Sequence, residues 1–93
     1  MIKSFGDKIT AQIFAGLAVK RMDTVLQTMA LRRLRYLDAA VMLDDLRIPP
    51  SNRLEALLGD RKGSYSIRVN DQWRIVFRWQ DGNAFDVEFL DYH

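Results

Sequence analysis

The chain has 93 residues, 48% of them hydrophobic and 11% aromatic, with a formal net charge of +2, so one domain over 1–93 with one core is expected. The absence of cysteine and a single histidine, His93, exclude a disulfide framework and speak against a thiolate or imidazole metal site, and no metal or cofactor is expected. No run approaches the roughly 18 apolar residues of a membrane span, and "MIKSFGDKIT" lacks the long apolar segment of a signal peptide, so no membrane association and a cytoplasmic location are the expectation.

In chain order, "MIKSF" followed by Gly6-Asp7 reads as a first strand closed by a turn. Asp7 can cap a short helix over residues 8–16, with Ile9, Ile13, Phe14 and Leu17 on one side and Gly16 at its end. A second helix is predicted over 24–42, its apolar stripe formed by Val25, Leu26, Met29, Ala30, Leu34, Leu37 and Val41. Its basic group Arg32, Arg33 and Arg35 reads as the wet side of the helix or as a partner contact. Pro49-Pro50 then excludes helix and marks a loop, with room for one helical turn before it.

Beyond the prolines the period changes from 3.6 to 2. "RLEALL" can form a strand ended by Gly59-Asp60. "SYSIRV", "WRIVFRW" and "AFDVEFLDY" alternate as three further strands, joined by turns at Asn70-Asp71 and Asp81-Gly82, the second of type I′ character. In the last strand Phe85, Val87 and Phe89 are expected on one face. The pattern predicts an α+β domain: a small antiparallel β-sheet, made of a C-terminal meander plus an N-terminal strand, with two N-terminal α-helices packed on one face.

Charge is distributed unevenly. Residues 61–78 carry Arg61, Lys62, Arg68, Arg74 and Arg78 against Asp71 alone, whereas residues 81–93 carry four acidic side chains and no lysine or arginine. A basic segment in a near-neutral chain fits either a polyanion-facing surface or a solvated strand face with ordinary ion pairs. Alternation puts Arg68, Arg74 and Arg78 on the face opposite Ile67, Ile75 and Phe77, with Arg68 and Arg74 near one another across a hairpin. Paired guanidiniums repel unless an anion sits between them. Asp86 or Glu88 from the last strand could supply it, and so could a phosphate, whose oxygens match the arginine fork.

The terminal "LDYH" adds Asp91, Tyr92 and His93 beside the arginine-bearing strands. Cleavage of RNA at a 2′-hydroxyl needs proton transfers, which histidine, tyrosine and aspartate can share, and stabilisation of phosphorane-like charge, which arginines supply. Tyr92 could also stack on an unpaired base.

The stretch "PPSNRLEALLGDRKGSYSIRVNDQWRIVFRW", with "MIKSF", "LDAA" and the terminal "DYH", closely resembles the HigB-like toxins of the RelE/ParE toxin–antitoxin superfamily over essentially the whole chain. The resemblance implies a RelE-like fold and a cytoplasmic toxin that inhibits translation by cutting mRNA in the A site of the 70S ribosome, with 2′-hydroxyl attack and no metal. It also implies a HigA-like helix-turn-helix antitoxin as partner, and contact with operator DNA only through that antitoxin. The family's site maps onto Arg68, Arg74, Asp91, Tyr92 and His93, with Arg61, Lys62 and Arg78 contributing RNA-backbone affinity. Leu58 stands where many relatives carry lysine, and Glu55 or its neighbours where some carry histidine. Two other functions stay open within the superfamily: a non-catalytic ParE-like inhibitor of DNA gyrase, and a weakly active toxin serving mainly in an autoregulatory complex.

Overall fold

A computed structural model of the chain describes residues 1–91. Helix α1, Lys8–Phe14, begins at Asp7, whose carboxylate accepts the N–H of Thr10 at 2.6 Å. It ends where Gly16 turns to a φ of +80°. Helix α2, Thr24–Ala39, begins at Asp23, whose side chain accepts the Leu26 N–H at 3.3 Å. The connection between them is fastened by Gln27, which bonds the N–H and C=O of Val19 and the C=O of Met22.

Two 3₁₀ turns follow, Leu43–Arg47 and Pro50–Asn52, separated by a cis Ile48–Pro49 peptide. Asp45 closes the first by accepting the N–H groups of Val41 and Met42, both at 2.9 Å. Buried Asn52 joins the two by donating to the carbonyls of Leu46 and Ile48. Strand β1, Glu55–Ala56, leads through a 3₁₀ turn, Gly59–Arg61, into β2, Ser64–Arg68; β3, Trp73–Gln80, and β4, Asn83–Asp91, complete an antiparallel sheet of order β1-β2-β3-β4. Asp81 and Gly82, with φ of 51° and 79°, form the expected tight β3–β4 turn.

Both helices lie on one face of the sheet. Ile13, Ala30, Leu34 and Leu37 meet Ile67, Val69, Ile75, Phe77, Ala84, Val87 and Phe89 in one apolar cluster, and the Trp73 and Phe89 rings stack at 4.5 Å. The stripes are narrower than the sequence pattern suggests. Ile9, Leu17, Val25 and Val41 are exposed, and α2 stops at Ala39 because Ala40 turns to extended backbone, which takes Val41 off the helix. In α1 the inward position expected for an apolar residue is taken by Thr10, wholly buried.

Residues 1–10 cover the outer edge of β4. Ala84 and Val87 donate to the carbonyls of Met1 and Ser4, Lys3 and Gly6 donate back, and the Asp86 N–H is taken by Ser4 Oγ at 2.8 Å. The Phe89 N–H is taken by Thr10 Oγ1 at 2.9 Å. The opening segment is therefore extended and parallel to β4, but it joins through two isolated bridges, Ile2 with Ala84 and Phe5 with Val87, rather than a regular ladder. The interruption falls at Asp86, which has a φ of 53° beside a register shift between Val76 and Arg78. That bulge adds one residue to β4, and the faces change across it. Ala84, Val87 and Phe89 turn to the core, while Phe85 pairs with Arg78 and leaves the face it was expected to share. The strand expected in "RLEALL" shrinks to Glu55–Ala56, with Leu57 buried and Leu58 fully out in solvent.

Thr10 is the hydroxyl that satisfies a buried strand N–H. Replacing it with isosteric valine leaves the Phe89 donor without its partner, so Thr10→Val is expected to lower stability by about 1–3 kcal/mol, read from the urea midpoint at unchanged slope.

Candidate functional site

The face of the sheet away from the helices carries the candidate site. Arg68 and Arg74 are direct ladder partners, so both project from this face at the end of the β2–β3 hairpin. In β4 the partner of Arg74 is Leu90, and that of Trp73 is Asp91. The next row toward the middle of the sheet holds Glu55, Ser66, Val76 and Glu88. Arg53, just before β1, lies near enough for its charge to act on Asp71. Three arginines thus gather near one end of the open face from three neighbouring chain segments.

Like charges at that spacing need compensation, and the turn between β2 and β3 provides it. Asn70 closes the turn with its Oδ1, which accepts the N–H groups of Gln72 at 2.9 Å and Trp73 at 2.8 Å. Its carbonyl accepts Arg74 Nη1 at 2.7 Å. Asp71 Oδ1 accepts a hydrogen bond from Arg68 Nη2. Gln72 Nε2 donates to Asp91 Oδ2 at 2.9 Å. Each residue of Asn70-Asp71-Gln72 therefore holds one of the residues singled out from the sequence. From the helix side, Arg33 Nε donates to the Arg68 carbonyl at 3.2 Å, which commits one of the three arginines of the α2 basic group to the sheet; Arg32 and Arg35 stay exposed.

The hydrogen bond from Arg68, its charge, and the weaker fields of Arg53 and Arg74 hold the Asp71 carboxyl below its ordinary value of 3.8. The nearest anion to the pair is thus Asp71, bonded to Arg68, while Arg74 is turned to the Asn70 carbonyl. Neither Asp86 nor Glu88 serves: Asp86 lies two rows further along β4, beside Arg78, and Glu88 sits one row away, its side chain lying across Gly6.

The remaining basic candidates lie elsewhere. Arg78 shares the face but stands four residues from Arg74, about 13 Å along the strand. It lies 4.0 Å from Asp86 in a shallow cleft lined by Gly63, Gln80 and Phe85. Arg61 and Lys62 are exposed on the β1–β2 connection, toward that same end of the sheet. The basic segment therefore splits into two groups, since antiparallel folding carries its halves to opposite ends. Asp91 ends β4 at the Arg68–Arg74 end but pairs with Trp73, so strand alternation gives Leu90 the arginine face and Asp91 the opposite one; Tyr92 and His93 lie outside the described residues. No cluster suited to a metal ion occurs among the described residues.

Arg53, Asn70, Asp71 and Gln72 are neighbours of the candidate site that alternation did not reveal. Arg53 precedes the strands in a left-handed conformation, φ 45°, outside any periodic pattern. The other three read as turn residues, which they are, and their side-chain bonds depend on how long the turn is.

A family model for the HigB-type, RelE-like toxin of type II toxin–antitoxin systems matches residues 3–93. The chain belongs to the HigB-like toxin family. It is the toxin half of a type II pair, with an antitoxin as partner. Toxin HigB-1 of Vibrio cholerae is 43% identical over 94 aligned positions, covering 100% of this chain and 98% of the relative. Endoribonuclease HigB of Proteus vulgaris is 33% identical over 98 positions, covering both chains in full. Among solved structures, the YoeB–YefM complex from Staphylococcus aureus superposes with a TM-score of 0.64 over 100% of this chain and 98% of that one. A point mutant of YafQ from E. coli superposes with 0.58 over 96% and 91%. At 15% identity these two describe the fold alone, and it is the two-helix, antiparallel α+β fold expected from the HigB resemblance.

The electrostatics of the turn can be titrated. Because its folded pKa is lowered, Asp71 contributes stability that is fully present above 3.8 and is lost as pH falls through the folded value. NMR titration of the Asp71 carboxyl is expected to give a midpoint below 3.8 that moves back toward it in Arg68→Gln.

Proposed function

We propose that the chain, acting as a single toxin domain over residues 1–93, is an endoribonuclease that cuts mRNA in the ribosomal A site and so inhibits translation. The reading is supported by family membership, by the relative named as an endoribonuclease, and above all by the ladder pairing of Arg68 with Arg74 on the open face. In this reading Arg68 and Arg74 hold the scissile phosphate through their forked donors and stabilise the charge that grows on it. The 2′-oxygen attacks the neighbouring phosphorus, its proton passing to a base, and the bond to the 5′-oxygen breaks as that oxygen takes a proton. Asp91 and His93 carry these transfers, and Tyr92 orients or stacks on a base. Asp91 is tied to the β2–β3 turn by Gln72 Nε2, and the terminal segment leaves β4 from there.

Arg61, Lys62 and Arg78 serve as a second, salt-sensitive contact with messenger or ribosomal RNA at the opposite end of the sheet. Leu58 stands fully exposed next to that group, so where many relatives offer a cation this chain offers an apolar rim. Glu55 occupies the row beside the arginines and adds negative charge there. Both features point to a more modest nuclease whose phosphate grip depends on the arginines. A helix-turn-helix antitoxin of the HigA type restrains it in the cytoplasm and carries the complex to operator DNA.

Expression of the chain with primer extension on cellular mRNA tests the reading: ribosome-associated cleavage is expected, and disturbed DNA supercoiling with intact mRNA sinks it. Arg74→Ala is expected to lower the cleavage rate by about a hundredfold or more. Deletion of His93 is expected to abolish growth inhibition. Both variants should still bind the antitoxin, and full toxicity in either overturns the roles assigned to these residues.

A further inference from the structure

We propose that Asp71 is a resident stand-in for the substrate phosphate: its carboxylate holds the Arg68 guanidinium in the free protein and is displaced when an RNA phosphate enters between the arginines. The inference rests on the phosphate-holding role proposed above for the arginines, not on cleavage itself, and adds a residue that sets how readily the site accepts its anion.

The open face pairs Arg68 with Arg74 at one end, with Arg53 near enough to act on the same turn, an arrangement that attracts an anion, and the Asp71 carboxylate is bonded to Arg68. A phosphate oxygen and a carboxylate oxygen make the same charge-assisted bond to a guanidinium, so the two compete for one position.

The Asp71 side chain is 99% exposed, whereas that of Arg68 is 23% exposed. The arginine is thus the fixed partner and the aspartate the movable one. Exposed ion pairs are weak, shifting an equilibrium only a few-fold, so exchange is easy.

The turn, finally, does not need the Asp71 carboxylate. Its backbone is closed by Asn70 Oδ1 on the N–H groups of Gln72 and Trp73, and by the N–H groups of Val69 and Asn70 on the Trp73 carbonyl. Arg74 is held by a main-chain carbonyl, which no substitution at residue 71 removes. Asp71 can therefore let go while the rest of the site keeps its shape. A merely structural aspartate, present to position Arg68, predicts the opposite sign: its removal loosens the arginine and weakens binding.

The test uses purified toxin and a short single-stranded RNA with methylated 2′-hydroxyls, which binds without being cut, read by fluorescence anisotropy. Asp71→Asn is expected to bind about fivefold more tightly than the parent. Asp71→Glu, which keeps the charge, should stay near the parent, and the gain should vanish when Arg68→Gln is added. Asp71→Ser is expected to repeat the gain, so the outcome does not hang on one variant folding. Primer extension on ribosomes reads cleavage separately. Unchanged or weaker binding by both neutral variants overturns the stand-in and leaves the nuclease reading intact, as does a parent that cleaves but never binds the free oligonucleotide. Tighter binding without cleavage by any form supports the stand-in and overturns the nuclease reading. A parent that neither binds nor cleaves overturns both.

Discussion

Burial on one side only is the constraint from which the rest of this molecule follows. Two helices cover one face of a four-stranded sheet, and among the described residues no helix covers the other. Strand alternation then sorts β2 and β3 into an inner set, Ile67, Ile75 and Phe77, and an outer set that must tolerate water. Guanidiniums belong in that outer set. Under a second layer Arg68 and Arg74 would be buried like charges, costly to desolvate; on an open face they keep their heads wet and their stems against the sheet. Ser66 and Val76 are buried in the middle of this face although no helix covers it, so its neighbouring side chains shield the strands there and leave the wet positions to the ends.

The site is held with few parts. One turn fixes Arg74 by a carbonyl, Arg68 by a carboxylate and Asp91 by an amide, so the hairpin that joins β2 to β3 also sets where the charged groups stand. Donors aimed in advance at the place where charge will develop need little reorganisation during reaction. The same compactness explains the fate of Arg78. A residue of matching face parity is not a residue of the same site, because strand length separates it from Arg74 and Asp86 is its nearer neighbour.

Much of this was legible from residue order. Helical spacing in 24–42 and alternation in 64–90 gave the architecture, and the pairing of Arg68 with Arg74 needed only a short hairpin between them. What escaped was set by local backbone geometry rather than by pattern. Phe85 changed faces because Asp86 takes a positive φ, and no periodicity announces a bulge. Leu17 and Val25 looked like core residues, but the helices touch the sheet and each other along a narrower line. Thr10 and Asn52 are polar residues inside because each satisfies specific backbone groups, and Asp71 became the counter-ion because the turn folds back on Arg68. The HigB resemblance supplied the function; composition alone did not distinguish a nucleic-acid surface from an ordinary wet face.

The cover over the β4 edge has a consequence for how the toxin is born. Ser4 finds its partner 82 positions later, at Asp86, and Thr10 finds Phe89 after 79. Until β4 forms, Ser4 and the Thr10 hydroxyl are without these partners, while Ile2 and the Thr10 N–H can already bond to Asp38 and Asp7. Contacts of such long sequence separation are slow to form. The arginine floor needs the same late strand beside it. Within this fold the arginine floor and the covered edge therefore take shape together, once β4 is in place.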